Sequence, residues 1–381
     1  MQLDSIKMDF VKFVDETHAG LLFPKNYFGC IMAVFIEQGP ITQDRIKELT
    51  GYSKTTISQM LKLIQVNFPL NQIKKPGIRK KYYSIDIGPR DFMITFLTMI
   101  INTLKDKVDF FLPLIEELEP YTNKHPRFSD FKHFLETFYK FSSLFLNLLV
   151  DTADEFSDLI KTGKIKSTDI SNMNILSSQE NLKHIQDLLN PPTAPSSFSD
   201  RRILDKQLAE IYIQLKNKFY RKFRENLTVA RSQTELARTI IGTEMLLEQR
   251  PVTQKEIEEA TNFQRSTISD TLKLLLKMKM IRLIKKPHDR KKYYLAIQSW
   301  DTRTINRFKL NINYANIMKD KINNLIKRIE LTNTIDEKNS LIDFLQHIHY
   351  SYNQFEQYFK LLEVKFLNIR LKEYLELKNT Y

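Results

Sequence analysis

Two stretches of the chain concentrate side chains suited to holding and reading a polyanion. Ser53, Lys54, Thr55, Thr56, Ser58, Gln59 and Lys62 place hydroxyl, amide and ammonium groups within one short segment. Gln264, Arg265, Ser266, Thr267, Ser269, Asp270 and Lys273 repeat the mixture 211 residues later. Each stretch is followed by a cationic run ending in two tyrosines: Lys75, then Arg79-Lys80-Lys81-Tyr82-Tyr83, and Lys286, then Arg290-Lys291-Lys292-Tyr293-Tyr294. A guanidinium such as Arg265 can bond the guanine edge bidentately, and the amide of Gln59 or Gln264 matches adenine. Lys54, Lys62 and Lys273 suit phosphates, which position a protein without specifying sequence. The cations of the two runs suit the sugar-phosphate backbone or the minor groove.

Other chemistries find no support. The eight glycines of this 381-residue chain build neither a GxGxxG nor a GxxxxGK[ST] pattern, so Rossmann and P-loop nucleotide sites are unsupported. Cys30 is the single cysteine, which excludes an internal disulfide and a cysteine-based zinc site. Set among Ile31, Met32, Ala33, Val34 and Phe35, it reads as a buried small hydrophobe in preference to a redox-sensing thiol. His347 and His349, two apart, point to different sides of a helix and suit no shared metal. No Ser/His/Asp or paired-carboxylate pattern is specific, so the chain is expected not to be an enzyme, with no cofactor and no metal. With Asp4 and Asp9 near the start there is no signal-peptide pattern, and no apolar run nears the ~18 residues that span a bilayer. A cytoplasmic protein without membrane association is the expectation.

The elements that must position these groups follow from an internal repeat. Residues 40–83 match 251–294 without a gap, from Pro40/Pro251 through Thr56-Ile57-Ser58/Thr267-Ile268-Ser269 to Ile73-Lys74-Lys75-Pro76/Ile284-Lys285-Lys286-Pro287. Within each copy Thr42 or Thr253 is an N-cap candidate, and Thr253 with Glu256 forms a capping box that the first copy, with Arg45, lacks. A short helix runs to about Thr50 or Thr261. Gly51 or Asn262, residues that tolerate a left-handed backbone, make the turn. The second helix opens at Ser53 or Gln264, with Ile57, Met60, Leu61 and Ile64, or Ile268, Leu272 and Leu275, on its inward face. Short strands over Gln72–Lys75 and Lys80–Asp86 then form a hairpin with a basic tip.

A helix-turn-helix followed by such a hairpin is a winged helix, and each half resembles the MarR superfamily of winged-helix regulators, most closely its GbsR-type branch. The resemblance rests on the Pro-hydrophobic-Thr opening, the Ser/Gln-basic-small-Thr-Ile-Ser start of the second helix and the Arg-Lys-Lys-Tyr-Tyr ending. It covers about 50 residues per half. Family members are typically homodimers, so the chain resembles two protomers fused, a monomer acting as a pseudo-dimer. The family's acidic residue before the wing arginine is present as Asp289 but replaced by Ile78 in the first copy, which predicts a less firmly held first wing. Pro69 further separates the two units.

The charge follows the repeat. Residues 40–87 hold nine Lys/Arg and three Asp/Glu, and residues 251–298 hold eleven and five, so each copy carries +6 of the chain's +13. That localisation favours nucleic acid over a membrane surface. The expected fold class is mainly α: two winged helix-turn-helix domains with small β-hairpin wings, and long helices forming an intramolecular dimer-like interface. The first repeat spans 1–190 (winged helix about 27–87, helical region 89–190) and a Pro-rich linker 191–199. The second spans 200–381 (winged helix about 229–298, helical region 301–381). Phe131, Phe134, Phe138, Phe141, Phe145 and Leu148 form a heptad seam, and Ile348, Phe355, Phe359, Leu362, Phe366 and Ile369 a similar one, both read as helix-packing core. The alternative is an aromatic cage for a quaternary ammonium effector, which the GbsR resemblance raises, with Tyr27, Phe28, Phe92, Phe96 and Tyr121 as candidate walls. The expected function is sequence-specific binding of double-stranded DNA by a transcriptional regulator, expected to be a repressor, whose two non-identical recognition helices read an imperfect palindrome with half-sites about 10 bp apart or a multiple. Two other readings stay open, a tandem winged-helix scaffold that binds proteins and a non-specific architectural DNA-binding protein. Any small-molecule effector is unidentified.

Overall fold

The computed structural model describes residues 2–18, 26–74, 76–77, 79–162, 204–228, 233–248, 250–277, 280–285, 289–296, 300–332 and 337–380. The Pro-rich stretch 191–199, Lys75, Ile78 and Lys286 lie outside them. The fold is mainly helical with two small antiparallel sheets of three strands each.

The first half runs α1 (Gln2–His18), α2 (Tyr27–Ile36), β1 (Ile41–Thr42), α3 (Gln43–Thr50), α4 (Lys54–Asn67), β2 (Leu70–Lys74), β3 (Lys81–Ile85), α5 (Pro89–Leu118), α6 (Pro126–Asp151) and α7 (Ala153–Thr162). The second half repeats the order: α8 (Lys206–Thr228), α9 (Gln233–Glu248), β4 (Val252–Thr253), α10 (Gln254–Thr261), α11 (Arg265–Lys277), β5 (Ile281–Ile284), β6 (Tyr293–Ala296), α12 (Trp300–Glu330) and α13 (Lys338–Thr380). The two-residue strands β1 and β4 were not expected. The Pro-hydrophobic-Thr opening supplies both the N-cap threonine and a third strand, with Ile41 opposite Tyr83 and Val252 opposite Tyr294.

The local rules that set the short helices hold in both halves. Thr42 Oγ1 accepts from the Arg45 backbone N–H, and Thr253 forms a complete capping box with Glu256. Gly51 (φ 73°) and Asn262 (φ 55°) end α3 and α10 in the left-handed region and donate their backbone N–H back into the helix. On α4 the residues Ile57, Leu61 and Ile64 are buried, as are Ile268, Leu272 and Leu275 on α11.

The long helices cross between the halves. The antiparallel pair α12–α13 carries its tip residues Met318, Ile322, Leu325, Ile329, Leu341 and Leu345 into the core built by α1 to α4. The pair α5–α6 does the reciprocal: Phe111, Leu114, Phe128, Phe131 and Phe134 pack on Tyr212, Phe219 and Ile240 of α8 and α9. Where the pairs cross, Leu148, Phe156, Leu159 and Ile160 meet Phe308, Tyr358, Leu362 and Phe366. There Tyr358 Oη and Thr152 Oγ1 share a buried hydrogen bond of 2.9 Å. The phenylalanine seam is thus core, but divided between two clusters: Phe131 and Phe134 lie against Phe219, while Phe141 lies against Phe366 and Phe145 against Phe308.

Candidate nucleic-acid interface

In the first half, the buried inner face of α4 leaves Ser53, Lys54, Thr55, Gln59 and Lys62 exposed, with Thr56 and Ser58 half-buried. Ser53 has a local task as well: its Oγ caps α4 by accepting from the Thr56 N–H at 3.1 Å, and it lies 2.9 Å from Thr56 Oγ1. Arg79, Lys80 and Lys81 are exposed on the hairpin. Lys74 stands opposite Lys81 in the β2–β3 register, both exposed. Like charges directly opposite oppose pairing, so this pair favours an external anion over hairpin stability. Lys74 is therefore a candidate contact that motif reasoning had not singled out.

One carboxylate draws these elements together. Asp44, in the first turn of α3, lies 2.6 Å from Lys54 Nζ and 3.1 Å from Lys80 Nζ. Hydrogen bonds from Lys54 and Lys80 hold its carboxyl below the usual range. All three side chains are well exposed, so the pairs contribute little to stability. Their geometric content is larger: residue positions 44, 54 and 80 converge on one point between α3, α4 and the hairpin.

In the second half Gln264, Arg265, Ser266, Asp270 and Lys273 are exposed, and Thr267 and Ser269 half-buried. Gln254 Nε2 donates to the Arg265 carbonyl at 2.9 Å, fixing the start of α10 against the start of α11. Asp270 and Lys273 pair with each other at 3.1 Å. Arg290, Lys291 and Lys292 are exposed on the hairpin. The acid before them is tied into the hairpin: Asp289 accepts from the Lys291 N–H at 2.8 Å and from Tyr293 Oη at 2.7 Å. The first hairpin has other ties, from Lys80 to Asp44 and from Gln43 Nε2 to Tyr83 Oη at 3.1 Å.

Behind each exposed face lies a charged brace at related positions. Glu37 accepts from Lys7 at 3.2 Å and from Arg45 at 2.9 Å, and Arg45 also binds Asp4. Its counterpart Glu248 lies 3.7 Å from Lys216 and 3.1 Å from Arg250, which in turn holds Glu256 at 2.7 Å. The arginine thus sits on α3 itself in one half and ahead of α10 in the other. The first half adds a link of its own: buried Asp15 accepts from the Gly29 N–H at 3.0 Å and from Tyr52 Oη at 2.6 Å, next to the cap of α4. Burial, with Asp15 close by, pushes the Tyr52 phenol well up.

The five candidate cage aromatics do not converge. Tyr27, Phe28 and Phe92 are buried in one core with Phe96 at its edge, whereas Tyr121 stacks on Phe128 in another cluster. Phe92 is filled against by Phe68 and Phe35, at ring distances of 4.7 Å and 5.2 Å, which leaves these rings packing one another. Cys30 is fully buried. Among the described residues no group of three or more His, Cys, Asp or Glu side chains is placed to hold a metal ion, and no helix is long and apolar enough to cross a membrane. No protein-family model matches the chain, and no curated protein sequence matches it.

Proposed function

We propose that the chain is a sequence-specific double-stranded DNA-binding transcriptional regulator, a repressor in the simplest case, whose two winged-helix heads act as a pseudo-dimer in one polypeptide. The observation that carries this reading is the pairing of two +6 segments with the exposed face of two matching helix-turn-helix-hairpin units. In each unit the apolar residues face the core and the polar and cationic ones face out at the start of the second helix, where a recognition helix meets base edges. The reciprocal crossing of α5–α6 and α12–α13 supports the pseudo-dimer, since a two-fold interface makes each contact twice between equivalent surfaces. Because Gln59 corresponds to Asp270 and Ser53 to Gln264, the two heads read different half-sites.

In vitro selection from randomised duplexes tests the proposal. One enriched motif with two dissimilar half-sites is expected, and recovery without enrichment refutes sequence specificity. Reversal of Lys80, Lys81, Lys291 and Lys292 to glutamate should abolish salt-dependent binding. Retained duplex binding in that variant removes the hairpins from the interface, and a wild-type chain that binds no duplex removes DNA altogether.

A further inference from the structure

The point where positions 44, 54 and 80 converge is occupied differently in the two heads. In the first head two ammonium groups already have a carboxylate partner, Asp44. The repeat puts Lys255, Arg265 and Lys291 at the corresponding positions, three cations with no acid among them. The strand register around them is the same, with Thr253 opposite Tyr293 as Thr42 is opposite Tyr82; Gln254 ties the starts of α10 and α11, where Gln43 of the first head binds Tyr83 instead. The nearby acids are engaged elsewhere, Glu256 with Arg250 and Thr253, and Asp289 with Lys291 N–H and Tyr293.

Lys255 also runs against local helix rules. It stands in the first turn of α10, where the macrodipole disfavours a cation and favours the aspartate that the first head has. Its one ion pair among the described residues, 3.7 Å to Glu259, has lysine N-terminal to glutamate, the weaker orientation, and its side chain is 84% exposed. Natural chains depart from local preferences chiefly at functional or strained positions.

We infer that Lys255, Arg265 and Lys291 form a phosphate clamp on the second head, and that Asp44 occupies the equivalent clamp of the first head as a built-in stand-in for phosphate. This rests on the DNA-binding reading and deepens it. The second head engages the backbone with three cations that hold no carboxylate between them. The first head must exchange Asp44 for a phosphate, so it releases fewer counterions on binding. Affinity is therefore unequal between the heads, with the second docking first.

The test is binding of a labelled non-specific duplex by fluorescence anisotropy across a potassium chloride series, using the full chain. Each phosphate contact contributes about 0.9 to the salt slope, and on the order of tenfold in affinity at about 0.1 M salt. Lys255→Asp, which copies the first head, should lower the slope by about 2 to 3 and weaken binding by at least about tenfold; Lys255→Gln should lower it by about 1. Asp44→Asn should raise the slope by about 1 to 2 and tighten binding. The same charge change at Lys309→Asp, on α12, should leave the slope unchanged. Wild-type binding with an unaltered slope in Lys255→Asp, or an equal change in Lys309→Asp, overturns the clamp alone. A wild-type chain that binds no duplex overturns the DNA-binding reading and the clamp with it.

Discussion

Removal of the Glu244 carboxylate should be among the most destabilising single changes in the second head. Lys216 Nζ lies 2.7 Å from Glu244 Oε1 and 3.7 Å from Glu248, with side-chain exposures of 9%, 3% and 9% for Lys216, Glu244 and Glu248. Tyr220, fully buried, donates its hydroxyl to the other Glu244 oxygen. Glu244→Ala therefore leaves the buried ammonium only the 3.7 Å carboxylate of Glu248 and the Tyr212 ring, and removes the acceptor of the buried phenol. Breaking a buried ion pair from one side costs about 3–5 kcal/mol, and the stranded hydroxyl pushes the total toward the upper end. Removing the polar groups together is a different perturbation. The triple variant Lys216→Met, Tyr220→Phe, Glu244→Leu should recover most of the loss, since an apolar replacement of similar volume is often neutral. Urea unfolding followed by far-UV circular dichroism reads both. A Glu244→Ala cost below about 1 kcal/mol, or a triple variant no more stable than the single one, refutes the view that this trio is desolvated.

Other consequences concern the first head and the acid limit. A Cβ added at Gly29 would lie 2.5 Å from Tyr52 Oη and 3.2 Å from Asp15 Cβ, so Gly29→Ala should lower the urea midpoint, with part of the loss restored by Tyr52→Phe. Burial pushes the Cys30 thiol well up, and it should resist alkylation by iodoacetamide in the folded chain and react fully in denaturant. Besides Asp44, three carboxyls lie below their usual values: Asp4 through its bond to Arg45, and Glu256 and Glu356 where, against the upward push of burial, bonds to Thr253 and Arg250, and to Lys319 and Lys360, prevail. The unfolded chain takes up these protons first, near pH ~4, so their stabilisation is present above that value and lost as pH falls through the depressed ones. Urea midpoints should fall between about pH 5 and 3, less steeply in Glu256→Gln. A midpoint independent of pH over that window would show that these groups titrate alike in both states.

Much of the exposed face was legible because it is set by local rules. Caps at Thr42 and Thr253, the left-handed positions Gly51 and Asn262, and the inward set Ile57, Leu61 and Ile64 depend only on neighbours a few residues away. Other features depend on residues far apart. The partner of each aromatic seam is one: period 3.5 says that Phe131 and Phe141 are core, but not that one meets Phe219 and the other Phe366. The contact of Asp44 with Lys54 and Lys80 is another, since it needs three elements brought to one point. Strands β1 and β4 stayed hidden because two residues carry no alternation. Ser53 shows a subtler gap: its type suits a base edge, yet the helix uses its hydroxyl first as a cap.

The crossing of the long helices bears on how the chain is made. The first head is completed by residues made much later in the chain: Arg328 binds Asp9 across 319 residues, and Ser340 binds Gln38 across 302. On a ribosome adding about 5–20 residues per second, α1 and α2 wait about 15–60 s for the tips of α12 and α13. During that interval the apolar faces that Met318, Ile322 and Leu345 will cover stand open. The mirrored need is met at once, because α5 and α6 precede α8 and α9. Synthesis thus breaks the symmetry of the duplication: the head made first is finished last. A chain truncated before α12 should leave the first head aggregation-prone while the tips of α5–α6 can already find their partners in α8 and α9.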